Sequence, residues 1–150
     1  MLPPHFLRRF FCAMNIFVSI KPAPASEPHP TLADLIEAAI EQAGFTPFIA
    51  VQELQKRGLT PGFMKYIRQQ IEQADQMIVL YHPDLRGGLI ELGIAYVLGI
   101  PIWLAHPTGQ KVSTTALECS TKIITYHNQQ ILLTHLQLEL TPQTIPKESV

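Results

Sequence analysis

The sequence predicts a three-layer α/β domain, a five-stranded parallel sheet held between two layers of helices. Three observations carry this. Five short apolar runs, at residues 15–20, 45–51, 76–81, 101–105 and 122–126, alternate with segments whose apolar residues recur at helical spacing. The run at 76–81, Gln-Met-Ile-Val-Leu-Tyr, is almost continuously apolar, as a central parallel strand buried on both faces requires. The chain has 150 residues, 47% hydrophobic and 15% charged, which is enough apolar material for one core and too much for a disordered segment.

The first strand, residues 15–20, competes with another reading. Arg8 and Arg9 precede the apolar run 10–20, and Ala23-Pro24-Ala25 has the small residues of a cleavage site, which together outline a secretory signal. The strand is preferred because the rest of the chain needs it. Met14 is then a plausible alternative start, the domain covers 14–140, and 1–13 and 141–150 are flexible ends, in keeping with the gathering of prolines in the first 30 residues and the last ten.

Residues 21–30 hold four prolines and read as a loop. Thr31-Leu-Ala-Asp34 has the spacing of a capping box. Leu32, Leu35, Ile36, Ala39, Ile40 and Ala43 then mark the apolar face of a first helix, closed by Gly44. Residues 45–51 form a second strand, with Pro47 suited to a sheet edge. Residues 52–59 are polar and read as a loop. Thr60-Pro61 predicts an N-cap and first helical residue, followed by an amphipathic helix through Phe63, Met64, Ile67, Ile71 and Ala74. After the third strand, 82–86 is a loop and Gly87-Gly88 opens a helix over 89–98. A short helix within 112–120 and a last helix over 128–140 flank the fifth strand. Right-handed crossovers with five strands suit the flavodoxin-like, Rossmann-like order 2-1-3-4-5.

Composition excludes several classes. Net charge is −1 and no Lys/Arg stripe exists, so a duplex nucleic-acid binder is not expected. Two cysteines, Cys12 and Cys119, make neither a disulfide scaffold nor a four-ligand zinc site, which suits a reduced, cytoplasmic protein. No apolar run has the ~18 residues of a membrane span. No two histidines have helical metal-ligand spacing, and neither metal nor cofactor is expected.

Ligands of such sheets bind beyond the carboxyl ends of the strands, where the strand order reverses, here between the first and third. The residues in question are Ser19, Ile20 and Lys21, then 82–88 and the start of the third helix. Gly87 and Gly88 allow close approach of an anion or sugar to a helix N-terminus, or simply make a turn. Glu91 sits among Leu89, Ile90, Leu92, Ile94 and Ala95. A carboxylate in apolar surroundings points to a functional acid, whereas an exposed one would merely complement the helix dipole, and periodicity leaves both open.

These residues resemble the nucleoside 2-deoxyribosyltransferase-like superfamily, and within it the deoxyribonucleoside 5′-monophosphate N-glycosidases. The resemblance covers about residues 15–127. It is strongest in Ile71-Glu-Gln-Ala-Asp-Gln-Met-Ile-Val-Leu80 and Gly87-Gly-Leu-Ile-Glu-Leu-Gly-Ile-Ala-Tyr-Val-Leu-Gly-Ile-Pro-Ile102, and weaker in Val18-Ser-Ile20 and Val112-Ser113. It implies cleavage or transfer at the N-glycosidic bond of a 2-deoxyribonucleoside or its monophosphate. Glu91 would be the nucleophile, forming a glycosyl-enzyme. Ser19, Gly87 and Gly88 would approach the sugar or phosphate, with Arg86 and Lys21 serving the phosphate. Ser113 would reach it across a subunit interface, so the partners implied are a small nucleoside or nucleotide and a second copy of the chain. The family's Asp in the helix before the third strand is missing from Tyr66-Ile-Arg-Gln-Gln70. That leaves Asp84 as the second acid, with Glu53 more remote, or no second acid. Two other readings follow from the same fold: a nucleotide-binding module with little turnover, and a Toll/interleukin-receptor-like NAD hydrolase.

Overall fold

The computed structural model describes residues 14–141. The ends expected to be flexible, 1–13 and 141–150, lie outside these residues except for Thr141, as does Cys12. In chain order the elements are β1 (Asn15–Ser19), α1 (Leu32–Gln42), β2 (Thr46–Ile49), α2 (Ala50–Arg57), α3 (Phe63–Glu72), β3 (Gln76–Leu80), α4 (Gly87–Val97), β4 (Ile102–Pro107), α5 (Thr114–Cys119), β5 (Lys122–Tyr126) and α6 (Gln129–Leu140). The strands form one parallel sheet in the order β2-β1-β3-β4-β5, the predicted topology.

Alternation along each strand divides the core in two. Ile16, Val18, Ile78, Leu80 and Ile124 pack with Ile36 and Ile40 of α1 and Leu132 and Leu136 of α6. Phe17, Met77, Val79 and Leu104 pack on the other face with Ile67 and Ile71 of α3, Leu92 and Ala95 of α4 and Ala116 of α5. All five residues of β3 are buried, which explains its unbroken apolar run. The apolar segment at the start of the domain has a structural role as β1, paired on both sides through Val18 with Ile49 and Ile78. Asp75 ties its first residue to β3, accepting from the Asn15 amide at 2.9 Å and donating its own amide to the Asn15 carbonyl at 2.8 Å. No helix among the described residues is long and apolar enough to cross a membrane.

The capping box of α1 forms as expected. Asp34 N–H donates to Thr31 Oγ1 at 3.3 Å, and Thr31 N–H donates to Asp34 Oδ2 at 2.8 Å. Two expectations are corrected. Residues 52–59 are not a loop: β2 ends at Ile49 and runs straight into α2. Ala50 and Val51 are buried and Leu54 packs beside them, while Glu53 pairs with Lys56 and Arg57 at 3.7 and 3.2 Å, the i+3 and i+4 spacings that favour a helix. Only two turns long and mostly polar, this helix lacks a sustained apolar stripe. Likewise, Thr60-Pro61 does not open α3. The cap is Gly62, whose φ of +87° only glycine adopts without strain, and Thr60 instead accepts the Phe63 amide in the preceding turn. Smaller differences at strand ends leave the topology unchanged.

Candidate active site

The sheet reverses direction of growth between β1 and β3, so the carboxyl ends of these strands are where ligands of such sheets bind. Ser19 is the last residue of β1 and pairs with Val79. It is two residues beyond Phe17, so its side chain points to the face covered by α3 and α4, where it is fully buried. From the other side, α4 turns Glu91 inward together with Gly88, Leu92 and Ala95. The two groups meet: Ser19 Oγ donates a hydrogen bond to Glu91 Oε2.

Glu91 is only 8% exposed. The choice between an inward acid and a solvated first-turn residue is therefore decided for the inward one. Burial pushes its carboxyl up from 4.5 to about 7, while the Ser19 hydroxyl pulls in the opposite direction. A carboxyl poised there exchanges between neutral and ionised forms near physiological pH, as acid–base or nucleophilic work needs.

The remaining sequence candidates lie around this pair on the rim. Ile20 is half-buried against the α1 side of the core, and Lys21 is exposed. Asp84 is 70% exposed by side chain and sits 3.5 Å from Lys21 Nζ, bridging the segments that leave β1 and β3. Its amide also donates to His82 Nδ1 at 3.1 Å. Arg86 and Gly87 are exposed at the start of α4, where the first amides have no intrahelical partner. Among the described residues no three His, Cys, Asp or Glu side chains gather closely enough to hold a metal ion.

Gly88 has a steric role. A Cβ there would lie 2.6–2.7 Å from three side-chain atoms of Leu85, which is buried beneath the loop. Leu85 thus plugs the space under the helix start and sets the approach of the 82–86 segment. Gly88→Ala is expected to evict Leu85 and destabilise the fold by roughly 1–3 kcal/mol. Chemical denaturation would show this as a lowered midpoint, whereas Gly87→Ala, with open space at its Cβ, would change little.

One rim contact is invisible in the linear sequence. Tyr81 follows β3 on the same face as Met77 and Val79, and its hydroxyl accepts the Ser113 amide at 3.3 Å. This ties the start of α5, with the exposed Ser113, to the segment that leaves β3. The alternation of the expected strand 76–81 places the tyrosine, though not its partner.

No family model matches the sequence, and no curated protein matches it. Solved structures do. The CMP N-glycosidase BcmB of Clostridium botulinum superposes with a TM-score of 0.65 at 19% identity, over 83% of this chain and 98% of that one. A 2-deoxyribosyltransferase from the psychrotolerant bacterium Bacillus psychrosaccharolyticus gives 0.58 at 18% identity, over 85% and 96%. A conserved protein of Enterococcus faecalis gives 0.52 at 14% identity, over 85% and 99%. The chain shares the nucleoside 2-deoxyribosyltransferase-like fold of the first two.

Proposed function

We propose that this protein, with the nucleoside 2-deoxyribosyltransferase-like fold, cleaves or transfers the N-glycosidic bond of a 2-deoxyribonucleoside or its 5′-monophosphate. The observation that carries the reading is Glu91, a buried carboxyl at the switch point, hydrogen-bonded by the last residue of β1. The activities of two proteins with the same fold, an N-glycosidase and a deoxyribosyltransferase, support the bond class.

In this mechanism ionised Glu91 attacks the anomeric carbon as the base departs with the glycosidic electron pair. A glycosyl ester forms on the carboxylate and is then displaced by water or by a second base. Ser19 orients the attacking carboxylate and holds the other oxygen ready. Lys21 and Arg86, with the amides of Gly87 and Gly88, receive the phosphate, and Ser113 of a second copy reaches it across the subunit interface. Asp84 is the second acid of this scheme, relaying a proton from solvent water to the leaving base while Lys21 turns to the phosphate. Hydrolysis and transfer share the first step and differ only in the acceptor.

Chromatography of a panel of deoxynucleosides, deoxynucleoside monophosphates and CMP tests the reading. Release of free base from at least one of them is expected. A second reading, a nucleotide-binding module of the same fold, is favoured by the lack of any carboxylate in residues 66–70. Saturable binding with no base released over hours would select it and reject catalysis.

Ser19→Ala supplies an independent check. Its hydroxyl lowers the Glu91 pKa, so its loss raises that value further. A nucleophilic carboxylate works ionised, and the wild-type rate should climb with pH through about 7. In the Ser19→Ala variant that rise should move to higher pH, read from kcat/KM across the profile. An unmoved profile would remove Ser19 from the mechanism.

A further inference from the structure

Ser113 occupies the N-cap of α5, where a serine side chain ordinarily accepts an amide of the first turn. Here it makes no capping hydrogen bond, and the residue is exposed. The helix has six residues, Thr114–Cys119, too few to persist on their own propensity, and buries only Ala116. What fixes its start comes from elsewhere in the fold. The Ser113 amide donates to Tyr81 Oη at 3.3 Å, across 32 residues of sequence. Tyr81 is itself well anchored. Its amide donates to the Ala105 carbonyl at 2.8 Å, and its half-buried ring packs on the α3–α5 side of the core, where Val112 and Leu117 also pack. The tie keeps Ser113 in place through its backbone and leaves the hydroxyl for a ligand.

We propose that Tyr81 is a positioning residue for the substrate's 5′-phosphate: through the Ser113 amide it sets where that serine's hydroxyl stands, and so favours monophosphates over nucleosides. The inference rests on the reading above, in which Ser113 serves the phosphate held by a second copy. Strand β3 gives the tie its value. Val79 pairs with Ser19, the hydrogen-bond partner of Glu91, and Tyr81 lies two residues further along the same face. One strand thus frames the Glu91 site of its own chain and sets the position of the hydroxyl lent to the other. A hydroxyl that bonds a phosphate oxygen contributes most when it is already in place, because ordering a side chain or loop on binding costs affinity. Removing the phenol oxygen leaves the serine present but loosely placed. A ligand without phosphate gives that hydroxyl nothing to reach, so the effect falls on monophosphates and spares nucleosides.

Calorimetry on the full chain carrying Glu91→Gln, where no turnover consumes the ligand, tests this. Each 2-deoxyribonucleoside 5′-monophosphate of the panel is compared with its nucleoside. The parent is expected to bind at least one monophosphate more tightly than the matching nucleoside. Tyr81→Phe, which removes only the hydroxyl, should weaken that monophosphate roughly three- to tenfold and leave the nucleoside where it was. Ser113→Ala should show the same selective loss. The double variant should bind no more weakly than Ser113→Ala alone, because Tyr81 acts only through the serine. A merely structural tyrosine would instead weaken both ligands together. The proposal is overturned by a parent with no preference for monophosphates, by a Tyr81→Phe variant that loses nothing or loses both ligands equally, or by losses that add in the double variant. These readouts need no base release. A protein that binds monophosphates in the expected pattern yet cleaves none would overturn the glycosidase reading and uphold the role of Tyr81.

Discussion

Glu91→Gln is expected to abolish base release, with kcat/KM falling by about a thousandfold or more while the protein stays folded. The substitution keeps the shape of the side chain and an oxygen that can accept the Ser19 hydroxyl. What it removes is the negative charge and nucleophilic lone pair that stabilise the developing cation at the anomeric carbon. A thousandfold loss corresponds to roughly 4 kcal/mol of transition-state stabilisation. Chromatographic measurement of free base from the best substrate of the panel checks it, with circular dichroism as the folding control. Undiminished release by the variant would move the chemistry to another residue.

The same substitution should make the protein more stable above neutral pH. Glu91 has a folded-state pKa of about 7, raised by burial above an ordinary 4.5. The folded state therefore binds its proton more tightly than the unfolded state does. The stability this confers is complete below about pH 4.5 and is lost as pH rises toward 7. At pH 8 the buried charge costs roughly 3 kcal/mol, an order-of-magnitude figure from the interval between the two values. Asp34 acts in the opposite sense and at lower pH, because hydrogen bonds from Thr31 hold its carboxyl below 3.8. The window from 4.5 to 7 thus isolates Glu91 from it. Urea denaturation at pH 5 and pH 8 should show the wild type losing stability and Glu91→Gln losing less, with the variant the more stable at pH 8. Equal pH dependence in both proteins would mean that Glu91 is better solvated than its burial implies. A residue that destabilises its own fold at working pH is the kind of compromise found at functional sites rather than in cores.

The fold was legible because its signals are local. Short apolar runs such as Ile16–Val18 and Met77–Leu80 are read without any long-range information. The Thr31–Asp34 capping box is equally local. Helix α2 escaped because the burial of Ala50 and Val51 depends on what β1 and the core supply, while its local Glu53 pairs with Lys56 and Arg57 contribute too little to mark a helix by themselves. The site was legible as a set of residues but not as a set of contacts. Apolar neighbours marked Glu91, and topology marked Ser19. Their hydrogen bond joins positions 72 residues apart, and only the β1–β3 pairing and the packing of α4 bring them together. The link from Tyr81 to Ser113 and the seat of Leu85 under Gly88 are tertiary in the same way. No periodicity encodes them.

The most direct measurement of the central claim is mass spectrometry of protein quenched in acid during turnover of a deoxynucleoside monophosphate, followed by peptide mapping. A deoxyribose phosphate carried as an ester on the peptide containing Glu91, and absent from Glu91→Gln, is the predicted result. Free base released while that peptide stays unmodified and another carries the sugar would contradict the account.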